Sequence, residues 1–422
     1  MPAAAARDSG RRASYYVPTI REGKAGFPEP DAMQPSSPKI LWVTQISEIA
    51  REAWDALAQP LKTPFLEWDW LWLMEASGSA AARAGWIPRH LTVWSGSELL
   101  AAAPLYIKTH SAGEFVFDQA WAEVAGRLGL DYYPKLVGMS PFTPLIGYRF
   151  LMAPGVDETQ LTGLMLEEIE RFCRRERLTG ASFLFADPQW AEFMAARGYT
   201  PWVHPSFSWT NNGLRDFEDY LSGFSANQRR NIRRERLGLE RQEITVRMIP
   251  GDELPPQYYS RMYGFYARTN DKFGPWGCKY LTRDFFSALP GRFRHRLLFG
   301  VASGRDPREP PLGMSLCVTK GDQLYGRYWG GRADVEFLHF DACYYRPIEW
   351  AIAHGIRHFD PGAGGGHKLR RGFRVVPNCS LHRFADARLR QIMDRHIGAI
   401  NRFEHDEISA LNSGLPLRQA HS

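Results

Sequence analysis

The chain has 422 residues, 44% of them apolar and 13% aromatic, enough to fill the cores of two or three ordinary domains. Its formal charge is +6, and no apolar run approaches the roughly 18 to 20 residues of a membrane-spanning helix. With no charged segment leading into an apolar run at the start, a globular protein that is neither secreted nor membrane-spanning is expected.

The five cysteines (Cys173, Cys278, Cys317, Cys343, Cys379) never stand in a CxxC or Cys/His ligand spacing, so a reducing compartment and no metal are expected. Charge is unevenly spread. Between Gln228 and Arg247 seven arginines face three acids, and between Gly365 and Arg374 one lysine and three arginines face none. Anionic ligands are expected at these two segments.

Residues 1–38, rich in Ala, Arg, Pro, Gly and Ser without periodicity, are expected to be a disordered tail. Order should begin at KILWVTQI. The stretch ELLAAAPLYIKTHSAGEFVFDQAW predicts an apolar strand, a glycine turn and a second, aromatic strand. DYYPKLVGMSPFTP offers Tyr132, Tyr133 and Lys135 either to a cleft wall or to interface packing. From Leu161 to Leu178, residues Leu161, Leu164, Met165, Ile169, Phe172 and Cys173 fall on one helical face, and ASFLFAD reads as a buried strand. A short helix around Trp190–Arg197 ends at Gly198, and TPWVHPSFSW predicts a strand interrupted by prolines. A linker is expected near Asn211-Asn212-Gly213.

DYLSGFSANQRRNIRRER predicts one helix with Leu221, Phe224 and Ile232 on a buried stripe and Arg229, Arg230, Arg233 and Arg234 on another side. Such a face suits phosphate or a nucleic-acid backbone, or is simply solvated. Zinc-finger and aromatic RNA-platform signatures are absent, so no DNA partner is expected. TNDKFGPWGCKYLTRDFF places Lys272, Trp276, Lys279, Tyr280 and Arg283 after a Gly-Pro turn, again for a cleft or an interface. About 210 residues after the first strand pair, PLGMSLCVTKGDQLYGRYWGG repeats its pattern. Two copies of one α/β unit with mixed sheets are the economical reading.

LYGRYWGGRADVEFLHFDACYYRPIEWAIAHGI then joins a strand, a Gly-Gly turn and a helix closed by Gly355, an arrangement that forms an anion site. His339, Asp341, Tyr344 and Tyr345 stand near the helix entry, with Pro347 either kinking the helix or marking its first turn. Cys343 reads as a small buried filler. Finally, FDPGAGGGHKLRRGF fails both phosphate motifs: His367 precedes Lys368 where a Walker loop needs glycine, and Gly362-Ala363-Gly364 is followed by His367 with no helix opening there. What remains is a strand ending in a loop able to approach a ligand closely, then His, Lys and Arg.

These motifs, together with FLEWDWLWLMEASGS, GWIPRHL, RRNIRRER, LHFDACYY and HKLRRGF, resemble the bacterial FemAB-like peptidoglycan biosynthesis proteins and predicted N-acyltransferases. These belong to the GNAT-like acyl-CoA N-acyltransferase superfamily, and the shared order runs from about Thr63 to Asp386. The resemblance implies two tandem GNAT-like domains, 39–212 and 213–386, the second one active, with 387–422 a C-terminal helix and tail. It implies a cytoplasmic enzyme moving an acyl or aminoacyl group to an amine, either a small metabolite or a cell-wall precursor. The donor stays open between acyl-CoA and aminoacyl-tRNA. A donor pyrophosphate is expected on backbone amides of Gly330–Leu338, with Arg327, Gly330, Gly331, Arg332, Phe337 and Leu338 contacting the cofactor. Asp360 and His367 are the candidate bases. Arg230, Arg233, Arg234, Tyr328, Trp329, His339, Asp341, Tyr344, Lys368 and Arg371 are expected to hold substrate. Relatives tend to read F-E-x-G-A-Q-G-E-H-K, whereas here Asp360 replaces Glu and Gly364 and Gly366 replace Gln and Glu. The competing reading is a non-catalytic scaffold whose basic groove binds tRNA or another anionic ligand.

Overall fold

A computed structural model describes residues 38–274, 277–306, 308–332 and 335–418. The expected tail, up to residue 37, and Trp276 lie outside the described residues. The first half begins with β1 (Lys39–Val43), α1 (Arg51–Ala58), α2 (Trp68–Ala76), β2 (Trp86–Pro88), β3 (His90–Ser95), β4 (Glu98–Ala103) and β5 (Leu105–Lys108). It continues with α3 (Gln119–Arg127), β6 (Lys135–Gly138), β7 (Leu151–Met152), α4 (Glu158–Arg175), β8 (Gly180–Phe183), α5 (Pro188–Ala195) and β9 (Thr200–Thr210). The second half has α6 (Phe217–Ser222), α7 (Ala226–Glu240), β10 (Thr245–Pro250), α8 (Gln257–Asp271), α9 (Arg283–Arg292), β11 (Leu297–Ser303), β12 (Gly313–Lys320) and β13 (Gln323–Gly331). After these come α10 (Leu338–Phe340), a π-turn (Asp341–Tyr345), α11 (Arg346–Ala353), β14 (His358–Asp360), β15 (Arg374–Phe384) and α12 (Ala387–Ser413). Among the described residues no helix is long and apolar enough to cross a membrane.

Two sheets organise these elements. A four-stranded sheet has the order β1-β3-β4-β7, and an eleven-stranded one runs β10-β11-β12-β13-β14-β9-β15-β8-β6-β5-β2. Pro104, lacking an N–H, separates β4 from β5 and lets the chain pass from one sheet to the other. Each half holds one parallel pair joined through a helix, β6 with β8 and β13 with β14.

The halves are sewn together by an exchange of strands. β9 pairs with β14 of the second half, while β15 pairs with β8 of the first, and β9 and β15 pair with each other from Thr200↔His382 to Ser208↔Arg374. At the middle of that ladder Pro205 faces Pro377. Neither proline breaks the strand, because β14 reaches only Trp209 and Thr210 of β9, and β8 reaches only Leu381–Phe384 of β15. The expected interruption of TPWVHPSFSW is therefore not seen. The unpaired ladder sides nearby are completed by α12, whose Asn401 Oδ1 accepts from Val203 N (2.9 Å) and whose Asn412 brackets Val375 N and O (2.9 and 2.8 Å).

Two local expectations fail for identifiable reasons. The segment EFVFDQAW is a loop leading into α3, not a strand. Phe115 there takes a left-handed φ of 57°, and Glu114 and Asp118 turn inward to meet the buried Lys135 Nζ at 2.9 and 2.6 Å. Lys135 is thereby an interior ion-pair partner and no cleft wall. DYLSGFSANQRRNIRRER is two helices, since Gly223–Ser225 ends α6 and Ser225 caps α7 through Gln228 N. Its stripe of Leu221, Phe224 and Ile232 is buried, whereas Arg230, Arg233 and Arg234 are exposed.

Candidate active site

β13 and β14 run parallel through Gln323↔His358, Leu324↔Phe359 and Tyr325↔Asp360, then part. Pro361 ends β14, and Gly362, Gly364 and Gly365 carry the chain away at φ of 85°, 67° and 88°, which side chains other than glycine rarely tolerate. β13 continues to Gly331. The gap between them is a cavity of about 350 Å³, walled by Gly326–Trp329 on one side and Ala363–Lys368 on the other, with His339, Cys343 and Tyr344 behind. In parallel sheets, the ends where strands diverge are where ligands bind.

A bulge shapes the wall. Leu316 faces Tyr328 and Cys317 faces Gly326, so Arg327 is the extra residue of β13. Its guanidinium reaches the first half, where Nη2 donates to Phe142 O at 2.7 Å, and its buried Nε has no partner. On the far side of Arg327–Trp329 lies a second cavity of about 250 Å³. Phe115, Phe142 and Pro144 of the first half line it with Tyr266 and Tyr280 of the second. The two cavities share Arg327, Tyr328, Trp329, Pro361 and Ala363, and form two chambers of one cleft.

The glycine loop is clamped by charge. Asp360 Oδ1 accepts from Gly362 N (2.8 Å), and Lys368 Nζ donates to Gly362 O (2.6 Å) and Ala363 O (3.1 Å). Burial pushes the Asp360 carboxyl up to about 6 against that hydrogen bond and the pull of Lys368 and Arg327. Burial likewise pushes Lys368 down to about 8, opposed by Asp360. Asp360 lines neither chamber; it holds the loop from beneath.

His367 does line the larger chamber, with Nε2 at 2.8 Å from Tyr344 Oη. Burial, then Arg371 and Lys368, hold its pKa below the usual histidine range, so the ring is neutral at pH 7. Its neighbour His339, ring centres 5.4 Å apart, is pushed down to about 3 by burial and by the positive groups around it. Arg371 is buried behind them: Nη1 donates to His367 O (2.8 Å), Nη2 pairs with Glu235 of α7 (2.9 Å), and the guanidinium covers Phe340 at 3.4 Å. It props the turn that carries His367. Burial pushes the Cys317 thiol up to about 12 and raises that of Cys343 as well, so both thiols stay protonated.

Of the residues expected from the sequence, the cleft gathers Arg327, Tyr328, Trp329, His339, Tyr344, His367 and Lys368. The others sit elsewhere. A Cβ on Gly330 would fall 2.2 Å from Phe265 O, so its bareness serves the packing of α8. Gly331 lies against the Trp329 ring, and Arg332 N donates to Leu312 O (2.9 Å), extending the ladder. Phe337 packs on Gly238 of α7, and Leu338 is buried among Leu239, Ile244 and Val246. Ala333 and Asp334, in the middle of the expected pyrophosphate loop, lie outside the described residues. Asp341 is buried between Arg346 (3.3 Å) and Arg236 (3.6 Å) and does not face the cleft, nor do Arg230, Arg233 and Arg234. Among the described residues no three His, Cys, Asp or Glu side chains are grouped to hold a metal ion.

Sequence reasoning missed Gly326, Pro361 and the first-half wall of Phe115, Phe142 and Pro144. Gly326 was legible as the glycine inside an aromatic strand. The wall was not, because it depends on contacts nearly two hundred residues apart, such as Phe142 with Arg327.

Residues 45–419 match the FemAB-like family model, described as peptidoglycan biosynthesis/recognition. Among solved structures, FemX is similar at 12% identity, with 82% of this chain and 98% of that chain covered and a TM-score of 0.51. A tandem GNAT protein from the clavulanic acid biosynthesis pathway matches at 13% identity, 83% and 99% coverage and a TM-score of 0.43. L-PGS from Bacillus licheniformis matches at 10% identity, 78% and 95% coverage and a TM-score of 0.45. No curated protein sequence gives a significant match.

Proposed function

The chain belongs to the FemAB-like family of peptidoglycan biosynthesis and recognition, with a fold of two tandem GNAT-like domains, and on that premise we propose that it is a cytoplasmic N-acyltransferase acting through the cleft between β13 and β14. The observation that carries this reading is a histidine, His367, hydrogen-bonded to Tyr344 on the wall of a cavity opened by two parting parallel strands. The proposed domains are 39–212 and 213–386, sharing their central strands by exchange.

An amine with an ordinary pKa of about 10.4 is protonated at neutral pH and must lose a proton to attack. In the proposed reaction its nitrogen adds to the donor's acyl carbon, and a proton passes to the neutral His367 ring. The bond from that carbon to sulfur or ribose oxygen then breaks, the thiol or hydroxyl leaving with a proton. Asp360, the second candidate base, is better placed to hold the loop. The Arg327 N–H, at the bulge, is the candidate donor to the oxyanion, a role whose loss typically costs about 2.7 to 4 kcal/mol. Lys368 and the Arg327 guanidinium supply positive charge to an anionic donor or acceptor.

The donor is an acyl thioester or an aminoacyl-tRNA, and the acceptor an amine on a cell-wall precursor or small metabolite. The exposed Arg230, Arg233 and Arg234 on α7 favour tRNA, whose backbone phosphates such a face suits. They equally support the second reading, a binding protein without turnover. Thiol release from acyl-CoA, or deacylation of aminoacyl-tRNA, in the presence of an amine separates the two. His367→Ala is expected to slow turnover by about a hundredfold or more. Unchanged turnover in both His367→Ala and Asp360→Asn sinks the assignment of the base, and salt-sensitive RNA binding without turnover favours the second reading.

A further inference from the structure

We propose a separate binding site for a phosphate group, free or as a small monoester, between α4 and the start of β8 of the first half and the end of β15 and start of α12 of the second. A cavity of about 140 Å³ opens there, and it shares no residue with either chamber of the cleft. Three arginines line it, Arg174, Arg383 and Arg390, against one acidic residue, Glu170. Glu170 takes Arg383 Nη2 at 2.8 Å and Arg174 Nη1 at 3.8 Å. Arg383 also donates to Arg197 O and Arg390 to Phe384 O, each at 3.3 Å. Each arginine has five N–H donors, so most of theirs remain for a ligand, and the local charge stays positive.

An independent observation points the same way. Tyr199 lines the cavity, is 2% exposed, and its buried hydroxyl has no hydrogen-bond partner. Burial keeps that hydroxyl protonated, and the charged groups beside it, Arg383 and Glu170, are both on the cavity wall. A buried O–H donor without an acceptor is costly, and an oxyanion held by the arginines would satisfy it. Three cations and one neutral donor fit a phosphate's several acceptor oxygens.

Calorimetric titration of the full chain with inorganic phosphate, at physiological ionic strength, tests this. Saturable binding is expected, weakened by about tenfold or more in Arg383→Ala and in Arg390→Ala. Tyr199→Phe should weaken binding and, by removing the orphaned hydroxyl, leave the phosphate-free protein at least as heat-stable as the parent. Arg308→Gln, exposed and outside every cavity described, should leave the isotherm unchanged. Competition by glycerol phosphate identifies a monoester site, and lack of competition a free-phosphate site, the assignment standing in both cases. Absence of saturable binding, or an affinity that Tyr199→Phe and Arg390→Ala leave untouched, overturns it.

Discussion

In the first half β6 and β8 run parallel from Leu136↔Ala181 to Gly138↔Phe183, as β13 and β14 do in the second half. Beyond those registers the two differ. Tyr148 fills the first opening, its hydroxyl donating to Pro104 O (3.0 Å) and its ring stacked 5.9 Å from Phe183. A Cβ on Gly138 would lie 2.3 Å from that hydroxyl, and the space left beside Leu184 and Phe185 is about 10 Å³. In the second half Gly326 and the glycine loop stand where the first has aromatic bulk, and the cavity is about 350 Å³. One architecture is thus a packed core in one half and an open cleft in the other. What decides between them is the side-chain volume placed where the strands part.

The largest effect expected from breaking this contrast is on the closed side. Tyr148→Ala should cost about 3 to 5 kcal/mol in urea unfolding, as for other buried aromatics cut to alanine. A loss below about 1 kcal/mol would mean that the opening is not packed. On the open side, glycines sort by what surrounds them. Gly330→Ala pushes a methyl to 2.2 Å from Phe265 O and should cost about 1 to 3 kcal/mol through displacement of α8. Gly364→Ala meets no atom but keeps a φ of 67°, and should cost about 1 kcal/mol. Gly366→Ala meets nothing and has no positive φ, so its unfolding midpoint should not move.

The contrast also carries a pH dependence. The Asp360 carboxyl is raised in the fold to about 6, from an ordinary value near 3.8, so the native state holds its proton more tightly than the unfolded chain. Its contribution to stability is full below the unfolded value and fades as pH rises through about 6. Lys368, lowered to about 8, contributes fully above its ordinary value and loses that contribution as pH falls through about 8. Asp360→Asn should therefore flatten the fall in stability between about pH 4 and 6, followed by chemical unfolding across that range. An unchanged slope would show that Asp360 is solvated.

Local pattern carried much of the fold. The apolar face of Leu161–Cys173 reads directly as α4, and the strand ending at Asp360 is visible from IRHFD. The glycine-rich loop could be separated from nucleotide motifs by spacing alone. The pairing of His339 with Tyr344 could not be read. In an α-helix five residues turn a side chain about 140° away, yet the π-turn at Asp341–Tyr345 brings both rings to the chamber, 5.4 Å apart, and leaves Asp341 inside. Aromatic density misled in EFVFDQAW, where the inward pull of Lys135 on Glu114 and Asp118 outweighs strand propensity. The arginine-rich α7 divides by position: its exposed members read as surface, while Arg236 and Glu235 are spent on Asp341 and Arg371.

The central claim, that the open cleft of the second half performs the chemistry, is tested most directly by filling it. Ala363 borders both chambers, and its replacement by tryptophan should block them. Binding and turnover of an acyl-CoA and of an aminoacyl-tRNA with an amine acceptor would be measured for the parent, Ala363→Trp and Tyr148→Phe. The parent should use one of these donors, Ala363→Trp should lose turnover by about a hundredfold or more, and Tyr148→Phe should keep it. Turnover that survives Ala363→Trp at the parental rate would contradict the account.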